Sequence, residues 1–323
     1  MLLSPHINKR VFFTTIVAIF SYLHISSSQA HAQTTSLAIW PPLLEATIQP
    51  VKTFTQVYRL KNLGDDTTIT AQVIPFSPAD ELGHVLLKTV GTVPTVYFFS
   101  LQNADLNKSL PATFKLKGGQ TQELVLKVRI PEDQSEADHY FTFLFSSNTI
   151  GLVGGSGATT QASIGSNILL TISNDGQPQR SAKIEEFKTN KFIDSFSSIS
   201  FLLRVKNTGT TRFKSIGQVE IKNTFKKIFA PLPIREDNVL AGSIRSLTSE
   251  ITPGVKEVHP PGVQWHPIFP LGHYTATATI TPQDSNLPIS QTISFLVLPY
   301  KALLIILLIF TLTKALTKIK KSK

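Results

Sequence analysis

Apolar residues recur at every second position in short runs along most of the chain, and turn signals separate the runs. Gln122–Ile130 places Leu124, Leu126, Val128 and Ile130 on one face and Lys127 and Arg129 on the other. Thr67, Ile69, Ala71 and Val73 alternate in the same way, as do Tyr274, Ala276, Ala278 and Ile280. A period of two sends successive side chains to opposite faces, so each run predicts a strand with one buried face. Turn formers at Asn62–Asp66, Lys117–Gln120, Asn207–Gly209 and Thr252–Gly254 fall between the runs. No long stretch has a helical period outside the two ends of the chain. Many short strands with frequent turns predict an all-β class built of β-sandwiches. Residues 33–300 number 268, enough for two domains of ordinary size.

The two ends are different. Lys9 and Arg10 precede an apolar stretch from Val11 to Ile25, and Ala30-His31-Ala32 follows as a small-x-small cleavage site. This predicts a signal peptide over residues 1–32. Ala302–Thr313 is apolar and uncharged, and Lys314, Lys318, Lys320, Lys321 and Lys323 follow it. Twelve residues of helix cover only about 18 Å, but a helix from Pro299 to Ile319 reaches about 31 Å, the thickness of a hydrocarbon core. Lys301 and Lys314 would snorkel to opposite interfaces. We therefore expect a transmembrane helix over 299–319 and a basic tail over 320–323, with the C-terminus cytoplasmic by the positive-inside rule. The competing reading is a buried core helix, against which the lysine tail argues.

A weak internal repeat divides the middle. Tyr58-Arg-Leu-Lys-Asn-Leu-Gly64 resembles Leu203-Arg-Val-Lys-Asn-Thr-Gly209, and His139-Tyr140 in the first half parallels His273-Tyr274 in the second. Either two copies of one sandwich or chance similarity of short strings accounts for this. A tyrosine opening a late strand suits the corner where a hydroxyl bonds back to the backbone. The polar stretch Ser173–Arg180 marks the boundary, giving a first sandwich domain over 33–176 and a second over 177–298.

Charge changes the picture only after the ends are set aside. The whole chain carries a formal +10, yet residues 33–300 hold 23 basic and 21 acidic side chains. The high isoelectric point thus reports targeting, not a nucleic-acid footprint. The halves differ in sign: 33–176 holds 9 basic and 12 acidic residues, whereas 177–300 holds 14 and 9. A basic face on the second half would suit an anionic wall polymer or a membrane surface; a merely solvated surface is the alternative. The chain has no cysteine, which excludes disulfides, thiolate metal sites, a cysteine nucleophile and a lipidated cysteine behind the signal.

Candidate chemistry is sparse. Neither a Gly-x-Ser-x-Gly elbow nor a His-Glu-x-x-His motif occurs, so we expect no enzyme and assign no catalytic, cofactor-binding or metal-binding residue. His259, His266 and His273 recur at a spacing of seven, but Pro260, Pro261, Pro267 and Pro270 prevent one helix from gathering them as ligands. Asp65-Asp66 reads as a hairpin tip, and Glu132, Asp133, Glu136 and Asp138 as weak calcium candidates. The glycine-rich Asn148–Thr160 lacks the Gly-Lys-Ser/Thr of a phosphate loop and reads as a hairpin tip exposing Ile150, Leu152 and Val153. Trp40 and Trp265, the two tryptophans, are either stacking residues at loops or core. Leu298–Ala302 departs from a sortase signal at Lys301 and Ala302.

Several stretches resemble the WxL-interacting proteins of Gram-positive bacteria. In the first half these are Pro41–Ala46, the strand ending Lys61-Asn-Leu-Gly64, Phe114–Gly119, Ile130-Pro131 and Tyr140. In the second they are Val205–Gly209, Gly217–Ile221, Asn223–Phe225, Val239–Arg245 and Gly272–Tyr274. The resemblance implies two immunoglobulin-like domains and an anchor, with peptidoglycan or wall-associated surface proteins as partners and an extracellular ectodomain. It supplies no ligand residue and no oligomeric state. The expected function is a membrane-anchored binding or adhesion scaffold. The alternative is a chaperone-like or accessory subunit of a surface complex that binds partner strands at its sheet edges.

Overall fold

A computed structural model describes residues 36–88, 94–106, 108–153, 156–225, 227–250, 262–285 and 287–321; the side chains of 148–161, 230, 316 and 318–321 are not described. The expected signal peptide, the turn at Thr252–Gly254, His259, Pro260 and Pro261 lie outside these residues. Among the described residues the chain is all-β apart from one 3-10 turn, Pro94–Phe98, and one C-terminal helix.

The first sandwich comprises β1 (Leu37–Trp40), β2 (Leu43–Ile48), β3 (Thr53–Asn62), β4 (Thr67–Pro78), β5 (Val85–Leu87), β6 (Phe99–Leu101), β7 (Ala112–Leu116), β8 (Thr121–Arg129), β9 (Ala137–Val153) and β10 (Ser156–Ile172). One sheet has the order β1-β3-β8-β6, the other β2-β10-β9-β4-β5 with β7 also on β4. The alternating runs point inward as expected: Leu124, Leu126 and Val128 are fully buried against Ile69, Ala71 and Phe143. Each fully buried large apolar side chain stabilises the fold by roughly 1.5–3 kcal/mol relative to exposure. The chain changes sheets between β1 and β2. β1 pairs antiparallel with β3, and β2, after Pro41-Pro42, pairs parallel with β10. Proline lacks the N–H needed to continue a ladder, so it suits the crossing point.

The second sandwich repeats this plan with β11 (Ala182–Lys188), β12 (Phe192–Asp194), β13 (Ile199–Asn207), β14 (Phe213–Asn223), β15 (Ile228–Pro233), β16 (Asn238–Val239), β17 (Ile244–Leu247), β18 (Val263–Trp265), β19 (Gly272–Pro282) and β20 (Ile289–Leu298). β11 pairs antiparallel with β13, and β12 then pairs parallel with the last strand, β20. It has its own core, in which Trp265, Tyr274 and Phe295 are mutually packed.

The Lys-Asn-x-Gly repeat has a structural cause. Asn62 and Asn207 are both fully buried. The Asn62 amide donates to the carbonyls of Asp65 and Leu116 and accepts from the Gly64 N–H. The Asn207 amide donates to Thr211 and Val239 and accepts from Gly209. Each asparagine thus satisfies three backbone groups where the third or thirteenth strand turns out of its sheet.

The helix α1 spans Tyr300–Lys321, continuing from the last strand. Asp194, at the end of β12, accepts a hydrogen bond from the Lys301 N–H at 3.0 Å and so caps its first turn. Among the described residues no helix is long and apolar enough to cross a membrane. The uninterrupted run of described side chains in α1 ends at Ala315.

Candidate binding surfaces

The opposite charges of the two halves meet in a seam. Glu45 on β2 pairs with Lys214 at 2.6 Å, lies 3.6 Å from Arg212 and accepts a hydrogen bond from Asn238. Glu81, in the loop after β4, is held by both Arg204 nitrogens that face it and by the Ser246 hydroxyl at 3.3 Å; its carbonyl accepts from the Ser246 N–H. Asp138 accepts from the backbone N–H of Arg212, whose guanidinium reaches the Leu169 carbonyl at 3.4 Å. Burial pushes the Glu45 carboxyl up, but Lys214, Asn238 and Arg212 outweigh it and hold the group below the usual carboxylate range. The hydrogen bond from Arg204 does the same for Glu81 against a smaller opposing effect of burial. The basic surplus of the second half is therefore drawn partly into the seam, where Arg204, Arg212 and Lys214 face carboxylates of the first sandwich.

Gly83 shows how closely the seam is packed. Its φ is +94°, and a Cβ there would fall 1.5 Å from the Arg245 guanidinium. Beside it lies a cleft of about 200 Å3 lined by residues that include Leu43, Leu169, Asp80, His84, Asp237 and Arg245. That is below the roughly 300 Å3 at which small-molecule sites begin. Its charged groups also pair among themselves, His84 with Asp80 and Arg245 with Asp237 at 3.5 Å.

A second surface is a sheet edge. β9 and β10 are 17 residues each and pair along their whole length, but β2 covers the far side of β10 only over Asn167–Ile172. Among the described residues no strand pairs with that side of β10 from Ser156 to Ser166. The direction of its backbone groups follows from the register. Asn167 donates away from β9, to the Pro42 carbonyl, whereas Ala162 bonds toward β9 through the Ser147 hydroxyl. With no register shift between them, Gly157, Thr159, Gln161, Ser163 and Gly165 turn N–H and C=O groups toward the uncovered side. β1 lies near β10 but pairs with β3 in the other sheet, and the chain crosses to the β10 sheet only after it, at Pro41-Pro42.

The residues singled out in the sequence take these places. Tyr274 forms the expected corner: its hydroxyl donates to the Leu271 carbonyl at 3.3 Å and accepts from that residue's N–H. Tyr140 does not; its hydroxyl donates to Asp138 and accepts from the Ala241 N–H across the seam at 2.9 Å. Asp66 accepts from the Gly118 N–H in the β7–β8 turn. The expected hairpin tip is instead a crossing between the two sheets, because β3 pairs with β1 and β8 whereas β4 pairs with β5, β7 and β9. Glu136 is occupied by Ser173 and the Asn174 N–H at the sandwich boundary. His266 contacts the Ser198 hydroxyl at 3.0 Å, and His273 lies on β19. Among the described residues no group of three His, Asp or Glu could hold a metal ion. Trp265 is buried and Trp40 is 66% exposed. Within the expected hairpin tip, 148–153 and 156–160 are the mutually paired outer parts of β9 and β10, while 154–155 and the exposure expected of Ile150, Leu152 and Val153 lie outside what is described. Sequence reasoning did not find the seam residues, although the opposite net charges were their signal. It also missed the length of β10, because glycine, serine and threonine hide a strand.

No protein-family profile and no curated protein matches the chain. Among solved structures, the class 5 fimbriae chaperone CfaA is similar at 7% identity and a TM-score of 0.38, over 80% of this chain and 98% of that one. The Salmonella enterica SafA pilin–SafB chaperone complex matches at 13% identity and 0.36, covering 81% and 98%. A Porphyromonas gingivalis protein of unknown function matches at 12% and 0.27, covering 81% and 98%.

Proposed function

We propose that this chain is a membrane-anchored, two-domain immunoglobulin-like binding protein of a bacterial surface, in the manner of the WxL-interacting proteins. It holds an extended segment of a surface-protein partner along the uncovered edge of β10. The observation that carries this reading is the row of outward backbone groups at Gly157, Thr159, Gln161, Ser163 and Gly165. An unpaired edge is a template for one more strand, which main-chain hydrogen bonds hold without any special side chain. Five residues that each turn out an N–H and a C=O offer up to about ten such bonds, each a net 0.5–1.5 kcal/mol, from which the ordering of the partner segment subtracts. The protein works by binding, without turnover.

Two features support the anchor. Leu303 to Phe310 and Leu312 are all more than half exposed, packed on neither sandwich. Within α1 the run from Ala302 to Thr313 carries no charge, and Lys301 and Lys314 flank it where they can snorkel to opposite interfaces. The ectodomain then lies outside the cell and the lysine-rich end in the cytoplasm.

The test is co-sedimentation of the detergent-solubilised full chain with cell-wall sacculi, with and without their attached proteins. We expect binding only when the proteins remain, and its loss in Ser163→Pro. Equal binding to bare sacculi would replace the protein partner with a wall polymer. A chaperone-like subunit that holds partner strands at the same edge is the second reading. Deleting 299–323 separates the two: a chaperone keeps its activity when released, a tethered scaffold loses it.

A further inference from the structure

The end of the second sandwich from which α1 departs carries exposed apolar side chains that its core does not absorb. The strand registers bring four segments together there. Phe192 faces Leu296, Gly272 faces Val297, Asn223 faces Tyr274, and Ile199 faces Trp265. The loop after β12, the turn after β14, the run leading into β19 and the start of α1 are therefore neighbours. Direct contacts confirm it: the Phe196 and Phe269 rings lie 5.2 Å apart, and the Thr224 hydroxyl donates to the His273 carbonyl. Ile268 is 100% exposed, Phe225 88%, Phe196 67%, Leu271 58% and Phe269 51%. The opposite end of this sandwich, by contrast, meets the first sandwich across the seam.

Charge sorts in the same direction. The described residues of the four segments, 191–198, 223–229, 262–274 and 298–301, include Lys191, Lys227 and Lys301 and a single carboxylate, Asp194. Asp194 is engaged by the N–H groups of Lys301 and Phe196. Bulky apolar side chains beside lysines, without free carboxylates, are the composition of a surface seated among anionic headgroups. The distance is short: Leu303, the first of the exposed apolar residues within the helix, follows Lys301 by about 3 Å of helix rise. A patch this close to a spanning helix cannot face a distant partner without first meeting lipid.

We propose that this end of the second sandwich docks into the headgroup interface of the membrane that α1 spans, with Phe196, Phe225, Ile268 and Phe269 inserted and the lysines on anionic headgroups. The proposal rests on the anchor reading given above. Asp194 fixes the start of the helix to the sandwich, so docking holds the molecule upright and carries the β10 edge at a set height. A tether alone would let it swing.

The absence of cysteine permits single-site labelling of the full chain. Ile268→Cys, Phe225→Cys, Leu307→Cys and Asp133→Cys, each carrying an environment-sensitive fluorophore, are reconstituted in phosphatidylcholine–phosphatidylglycerol vesicles. The vesicles contain lipid quenchers at shallow or deep positions. We expect the deep quencher to suppress the label at 307, the shallow one to suppress those at 268 and 225, and neither to affect 133. Quenching at 307 with 268 and 225 behaving like 133 overturns the docking and leaves the anchor standing. No quenching at 307 removes the anchor and the docking together.

Discussion

Asn62 and Asn207 each engage a buried side-chain amide with three backbone groups, and truncation leaves those groups without water or partner. We expect Asn62→Ala or Asn207→Ala to cost about 2–3 kcal/mol, the penalty for stranding buried polar groups. The affected sandwich should show it as a lower denaturation midpoint. His139 gives a second test at this scale. It is half-buried between Phe98 and Phe141. Burial lowers its pKa, against a smaller opposing pull from Asp138. The folded state thus resists protonation, so its contribution is present above the ordinary histidine value of about 6.5 and is lost as pH falls toward the lower folded value. His139→Phe should flatten the stability–pH profile just below that value, measured by urea unfolding across a pH series.

At the scale of elements, β10 offers paired substitutions with opposite consequences. The Ser163 N–H points to the uncovered side, so proline there removes a donor that the fold does not use. Ala162 faces β9 and accepts from the Ser147 hydroxyl, as well as donating to it. Ala162→Pro removes a donor that the β9–β10 pair uses, whereas Ser163→Pro loses only the hydroxyl contact to Ser146, so the first should lower the melting temperature more than the second. Thermal melting of both variants checks this, and equal losses would mean that the register places the wrong groups outward. The start of α1 supplies another case. Asp194 is remote in sequence yet caps the helix, and Asp194→Ala should cost about 1 kcal/mol. Faster hydrogen exchange at Lys301 should report it.

At the scale of the whole molecule, the seam makes a pH-dependent joint between the sandwiches. The folded pKa values of Glu45 and Glu81 are depressed. Their contribution is therefore complete above the ordinary glutamate value of about 4.3 and is lost as pH falls through the lower folded values. Small-angle scattering should show an unchanged radius at neutral and mildly acidic pH and an expansion below about pH 4. Arg204→Ala removes the partner of Glu81 and should give a larger radius already at neutral pH.

The β class, the inward faces of β4, β8 and β19, and the turn asparagines were all legible in the sequence, because strand periodicity and turn chemistry are local. The apolar C-terminal run was equally plain, and it is helical from Tyr300 onward. The use of Tyr140, the pairing of Glu45 and Glu81 with arginines and a lysine more than a hundred residues away, and the uncovered side of β10 were not. Each depends on which distant strand lies alongside, and a strand's edge is open or closed by its neighbour, not by its own residues. The apolar end beside α1 is of the same kind: its phenylalanines are scattered over more than seventy residues of sequence and become one surface only where the strand registers bring four segments to the helix.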